Sequence, residues 1–360
     1  MLRPAQLAPT LIGQPLPWDL FTDMGVLVAG QGLVIIDEAH FNKLLERPLF
    51  TQSAPGESQG DLPDRLAALA ETAEILLSTP SSQLDTAAIA GVVKALIALY
   101  HADADACLGY PRLASLARPS VAHSLQVMFT ALFLAEQMEL TEQQRDSLAG
   151  AALTMNMSEL ATHDRLASQS VPLSKEEKSL LASHPVRTAE LLAGAGLDDL
   201  DWLETVIQHH ENMDGTGYPA QRAGGEILLT ARILRVADTY CARLEKRHYT
   251  PPRSGHISLA DFLGRELGRL DSQIATLLLR RIGLFPPGTL IRLASREYAC
   301  VTRRWRGGNV QYAVSFMDAR GRPLEPPRER NLNNRAQQMR GVLAPDPGWP
   351  AIDWKSLWGY

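Results

Sequence analysis

From Pro119 to about Leu284 the chain reads almost wholly as helix, and that run limits what it can fold into. Five segments carry apolar residues at helical spacing: SVAHSLQVMFTALFLAEQ (120–137), TEQQRDSLAGAALTMNM (141–157), SKEEKSLLASHPVRTAELLAGAG (174–196), DLDWLETVIQHH (199–210) and LTARILRVADTYCARLEK (229–246). Thr141 caps the second, with a carboxylate in its first turn, and Ser174 with early glutamates caps the third. Glycines close the third helix, and Pro185 within it is expected to bend it or to start a new turn. The fold class is therefore mainly α.

The flanks read differently. GVLVAGQGLVIID (25–37) predicts two short strands joined by a Gly-containing turn, and EAHFNKLLERPLF (38–50) a helix. TQSAPGESQGD (51–61) is a linker by composition, and LPDRLAALAETAEILLS (62–78) and TAAIAGVVKALIALYHADA (86–104) return to helical spacing. After Pro286 and Pro287, TLIRLASREYACVTRRW and NVQYAVSFMDARGRPL alternate in the manner of strands. The expected organisation is a small N-terminal α/β module (1–50), a linker (51–61), a helical connecting region (62–117), a helical domain (118–285), a small β module (286–343) and a Pro/Trp-rich tail (344–360). Within the tail, Trp349, Trp354 and Trp358 are expected to pack back onto the body, with a docking segment as the second reading.

A chain of 360 residues has ample length for a core and for two or three domains. A formal net charge of −5 draws the whole molecule toward neither nucleic acid nor an anionic membrane. The basic run RRWR (303–306) reads as one face of a β-ribbon. Cys107, Cys241 and Cys300 are odd in number and widely spaced, which fits a reduced compartment without a disulfide framework. No apolar run reaches the roughly 18 residues of a membrane helix, and the N-terminus is broken by prolines where a signal peptide would be continuously apolar. A cytoplasmic protein is expected.

The chemistry concentrates in HHENMDGTGYP (209–219), where two adjacent histidines run into a glutamate and a glycine-rich turn. One helix face cannot surround an ion, so further ligands must come from other helices. His123, His184 and Asp238 are the candidates, on three different segments. A single helical histidine is more often a satisfied core or surface residue. These five positions together favour a metal site.

HHENMDGTGYP resembles the HHExxDGxGYP signature of the HD-GYP family, helical metal-dependent phosphohydrolases whose typical substrate is cyclic di-GMP. The resemblance covers about 118–285 and implies an HD-type helical bundle. It assigns His123, His184, His209, His210 and Asp238 to metal, and the loop residues Glu211, Asp214, Gly215, Gly217, Tyr218 and Pro219 to contacts with a partner or the nucleotide. A plain turn closing a helix is the other reading of that loop. Arg247 and Tyr249 fall where the family carries R-x-Y, and PPGTLIRL resembles an extension found in some members.

The name-giving segment departs. Where the family reads roughly AALLHDIGKI, this chain reads AALTMNMSEL (151–160), so Met155 replaces the histidine, Asn156 the aspartate and Glu159 a lysine. Cys241 also stands where an aspartate often follows VADxY. Counted without a gap, PLSKEE (172–177) and His184–Pro185 fall in family register, which places His163–Asp164 on an expected solvated loop, a relocated ligand pair being the other reading. The missing aspartate is the family's bridge between two ions, and a neutral amide is a poor substitute. A thioether suits hard divalent metals badly. Glu159 is expected to repel a phosphodiester, so that Glu159→Lys should help activity.

These substitutions lead to an expected degenerate, non-hydrolytic regulatory or interaction protein of cyclic di-GMP signalling. A phosphodiesterase with weak residual activity is the alternative, and a scaffold carrying its function in the terminal modules a third reading. The cofactor expectation is one divalent transition metal (Fe, Mn or Zn) at a reduced site, or none. Cyclic di-GMP and a diguanylate cyclase domain reached through the GYP loop are the candidate partners, with neither nucleic acid nor membrane among them.

Overall fold

The computed structural model describes the chain outside residues 1, 6, 8–10, 14–15, 17, 23–26, 31, 46–48, 53–60, 114–115, 117, 169–173, 249–267, 284, 305–311, 347 and 351–352. Its centre is helical: α2 (Asp61–Ser78), α3 (Thr86–Ala102), α4 (Ala104–Leu113), α5 (Pro119–Gln137), α6 (Glu142–Thr154), α7 (Leu160–Ser168), α8 (Lys175–Gly194), α9 (Leu200–Gln208), α10 (Leu229–His248) and α11 (Ser272–Arg281). One continuous apolar core runs from Leu66 on α2 to Ile282 after α11, so the connecting helices pack with the bundle that follows them.

Helix α5 is the axis of this bundle, buried along nearly its whole length and packed on α4, α6, α7 and α10. Its buried polar residues His123, Gln126 and Thr130 recur at helical spacing. Two of them meet α10: His123 contacts Asp238, and Thr130 Oγ1 lies 3.5 Å from Cys241 Sγ.

The helix ends follow local chemistry. Thr141 and Gln144, and Ser174 and Glu177, form reciprocal capping boxes at the starts of α6 and α8. Helix α8 runs through Pro185 as a single element. The last turn of α6 is keyed to α9, because a Cβ at Gly150 would sit 2.3 Å from the Trp202 ring. Trp202 Nε1–H also donates to Thr154 Oγ1 at 2.9 Å. This contact sets Met155 and Asn156 relative to the histidines that end α9.

The C-terminal module is a five-stranded antiparallel sheet of β5 (Leu290–Leu293), β6 (Tyr298–Arg303), β7 (Tyr312–Met317), β8 (Pro323–Asn331) and β9 (Met339–Val342), in the order β8-β7-β6-β5-β9. The tail returns to it as α12 (Trp354–Trp358). Trp358 lies against Gly109 of α4 and its Nε1–H donates to the Thr302 carbonyl at 3.0 Å. Trp354 meets Tyr110 edge-on, and Trp349 meets Tyr298. Arg303 pairs with Asp103 at 2.6 Å and Arg304 with the buried Asp105. Two arginines of the RRWR run are thus engaged internally, and Trp305 and Arg306 lie outside the described residues.

The N-terminal module departs most from its expected pattern. Its sheet, β1-β4-β2-β3, combines Leu2–Pro4 (β1), Leu20–Phe21 (β2), Leu27–Ala29 (β3) and Phe50–Gln52 (β4). Among the described residues of 25–37, β3 is the one strand, and Ile35 makes an isolated bridge with Ile12. Helix α1 (Glu38–Leu45) stops short of the expected Phe50, which pairs in the sheet. Residues 53–60 of the expected linker lie outside the described residues.

Among the described residues no single helix is long and apolar enough to cross a membrane, and the apolar α3 and α4 meet at a bend of 115°.

Candidate metal centre

The two best-placed histidines owe their tautomers to helix chemistry. Pro185 has no N–H, so the Leu181 carbonyl four residues back lacks its helical donor. His184 Nδ1–H donates to it instead, at 2.5 Å. His209 caps the C-terminus of α9, where the last carbonyls have no intrahelical donor. Its Nδ1–H donates to the Val206 carbonyl at 2.6 Å. With Nδ1 protonated by this network, each ring must present an unprotonated Nε2.

Those two Nε2 atoms face each other at 3.2 Å. Two lone pairs so placed repel unless a cation lies between them. Burial, followed by the neighbouring His184 charge, pushes His209 down to about 3, which disfavours a proton shared between the two rings at neutral pH. His184 and His210 are also lowered, in both cases mainly by burial. Metal–nitrogen bonds of about 2.0–2.1 Å at tetrahedral angles put adjacent nitrogens roughly 3.3 Å apart. The observed spacing is therefore that of two ligands on one ion. His210 completes the set, and donor atoms of His184, His209 and His210 all lie within 4.8 Å of one another. A divalent metal fits these residues.

The other two candidates join from α5 and α10. His123 Nε2 and Asp238 Oδ1 are 2.9 Å apart. Burial raises the Asp238 carboxyl, but the His123 hydrogen bond and the charges of His123, His210 and Arg235 outweigh it and hold the group well below the usual carboxylate range. Arg235, one turn before Asp238, lies with Nη1 3.5 Å from His210 Nδ1 and 3.8 Å from Asp238 Oδ2. It also donates twice to Asn212 Oδ1, at 3.1 and 3.2 Å. Arg235 was legible as a site residue only through its i, i+3 relation to Asp238.

At the end of α6, Met155 is buried in the main core and Asn156 is buried beside it. Two expectations fail just beyond. His163 and Asp164 lie on α7, not on a solvated loop. Asp164 accepts from the Ser120 N–H at 2.9 Å and pairs with Arg118 at 2.8 Å, which anchors α7 to the start of α5. His163 then reaches the imidazole cluster, its ring centroid 6.1 Å from that of His184 and its Nε2 buried without a hydrogen-bond partner among the described residues. Burial, then the charges of His123 and His184, pushes it down to about 4.

Glu159 does not present a free negative charge either. It is buried, pairs with Arg187 of α8 and accepts from Thr162 Oγ1 at 2.8 Å. Glu159→Lys would place an ammonium against that guanidinium. Because the Arg187 side chain is 40% exposed, the expected cost is about 2 kcal/mol, between an exposed and a buried pair. Chemical denaturation of the two proteins measures it, and an unchanged or more stable variant would contradict this pairing.

The loop after His210 is braced from within. Glu211 is buried, its Oε1 accepting from the Ala220 N–H at 2.7 Å. A Cβ on Gly217 would lie 2.4 Å from the Asn212 nitrogen, so only glycine fits there. Gly215 takes φ +74°, and Asp214 Oδ1 accepts from the Thr216 N–H at 3.0 Å. The Tyr218 ring stacks on His210 at 4.7 Å, and Asp214, Thr216, Pro219 and Ala220 are the exposed residues of the loop. The side chain of Arg247 and all of Tyr249 lie outside the described residues.

The lowered histidines set the direction of the pH response. His163, His184, His209 and His210 all titrate lower folded than the ordinary value of 6.5. The unfolded chain therefore binds more protons below that value, and stability is complete above about pH 6.5 and lost as pH falls toward 4 and 3. The slope reaches up to about 1.4 kcal/mol per pH unit for each such group. Urea midpoints at pH 7.5, 6 and 5 in chelator should fall in that order; a rise on acidification would contradict the burial of these rings.

Residues 108–274 match the family described as HD domain. This segment is an HD domain. Its His-His-Glu and GYP residues place it in the HD-GYP type. The cyclic di-GMP phosphodiesterase PA4108 of Pseudomonas aeruginosa is 25% identical over 92% of this chain and 82% of its own length. The cyclic di-GMP phosphodiesterase response regulator RpfG of Xanthomonas campestris pv. campestris is 33% identical over 41% of this chain, which spans 39% of that protein. A solved structure, Bd1817, a HDG"Y"P protein from Bdellovibrio bacteriovorus, shares the fold with a TM-score of 0.50 at 16% identity, over 75% of this chain and 95% of its own.

Proposed function

We propose that this chain is a metal-binding HD-GYP protein of cyclic di-GMP signalling that acts as a regulatory or interaction module and hydrolyses the nucleotide little or not at all. One observation carries this reading. The end of α6, where the family has its His-Asp pair, holds a buried thioether and a neutral amide, Met155 and Asn156. No carboxylate is available there to bridge two ions across an attacking water. His184, His209 and His210 would hold one divalent ion, of iron, manganese or zinc. Such an ion would polarise a phosphoryl oxygen and lower the pKa of its bound water. Around it, Arg235 supplies a positive charge for a phosphodiester, and the exposed tip at Asp214 and Pro219 is the candidate contact for a diguanylate cyclase domain.

A second reading, a cyclic di-GMP phosphodiesterase with weak residual activity, is favoured by the metal-ready spacing of His184 and His209 and by the names of the relatives. One assay decides between them. Purified protein with added Mn²⁺ or Fe²⁺ is incubated with cyclic di-GMP and with pGpG, and products are followed by chromatography. Turnover near background, with nucleotide binding retained in calorimetry, is expected. Robust metal-dependent turnover that His209→Ala abolishes would overturn the regulatory reading in favour of the enzyme.

A further inference from the structure

We propose that His163 is a metal ligand, closing a second ion position with His123 and Asp238. The inference rests on the reading of the cluster as a metal centre and assigns it a residue outside the HD-GYP signature.

Helix α7 is held in place by Asp164 against the start of α5. Leu160, three residues before His163 and on the same face, is buried in the main core. This face therefore turns inward and carries His163 with it. The imidazole stands edge-on to His184 at 76°, 6.1 Å between centroids, against 5.1 and 5.0 Å for His209 and His210. Its Nε2 is buried and meets no hydrogen-bond partner among the described residues. A buried ring nitrogen left unsatisfied is costly, and a ligand would recover that cost.

The partners it would join are already spaced for an ion. His123 Nε2 and Asp238 Oδ1 lie 2.9 Å apart. Adjacent ligand atoms at right angles on one ion, with bonds of about 2.1 Å, lie roughly 3 Å apart. An ion between them would replace their direct hydrogen bond. Two imidazoles and one carboxylate form a donor set suited to a divalent transition metal with open positions. His163 lies outside the group of donor atoms that meet within 4.8 Å, so binding requires its side chain to turn on α7 toward His123.

The test uses the full chain, stripped with chelator and titrated with Mn²⁺ in a calorimeter, with bound metal counted by mass spectrometry after desalting. The parent should bind two ions per chain. His163→Ala and His163→Gln should each bind one, the second variant keeping side-chain bulk while removing the ligand. Circular dichroism melts identify a variant that has lost its fold, and the glutamine variant then decides. Two ions in the parent and two in the glutamine variant would overturn the role of His163. One ion in both would overturn it as well, while leaving the histidine triad as a metal site. No ion in the parent would instead remove the metal reading on which the inference stands.

Discussion

His209→Ala is expected to strip the protein of the divalent ion held by the triad, with affinity falling by at least about 100-fold. Loss of an outer-shell partner at metal sites already costs about 10–100-fold, and His209 would be a direct ligand. The variant also removes one of two lone pairs that face each other at 3.2 Å. Its effect on stability should therefore change sign with metal. In chelator the alanine protein should melt as high as the parent or higher, apart from the packing lost with the ring. In excess Mn²⁺ the parent should gain stability as RT ln(1 + [M]/Kd), and the variant should gain little. Metal content of the purified proteins and melts with and without chelator provide the measurement. Equal metal content in both would show that the facing nitrogens are not a ligand pair.

The double revertant Met155→His, Asn156→Asp should raise hydrolysis of cyclic di-GMP by at least about 100-fold, since it restores a ligand and the anionic bridge that lets two ions approach. The gain has a structural cost. Met155 is wholly buried in the main core, and an imidazole there needs a partner or loses roughly 1–3 kcal/mol. The revertant should therefore be less stable than the parent in chelator and recover with Mn²⁺. Chromatographic turnover and Mn²⁺ titration follow both effects. A folded revertant with unchanged metal affinity and background turnover would mean that the ends of α6 and α9 have moved apart. Glu159→Lys should not be added, because Glu159 neutralises Arg187 and is not available to repel a phosphate.

The sequence by itself determined most of the helices and most of the donor set. Periodicity and capping residues are local signals, so α5, α6, α8 and α9 begin and end close to where Pro119, Thr141, Ser174 and Asp199 place them. The tautomers of His184 and His209 are nearly as local, each set by a carbonyl three residues back on its own helix. Tertiary structure decided what depends on partners far along the chain. Asp164 finds Ser120 forty-four residues away, and only that docking turns His163 into the cluster. The engagement of Glu159 depends on Arg187, and the short N-terminal strands depend on pairing between Leu2–Pro4 and Phe50–Gln52. Such contacts leave no periodic trace in a single sequence, because the energy that forms them belongs to pairs of surfaces and not to either segment alone.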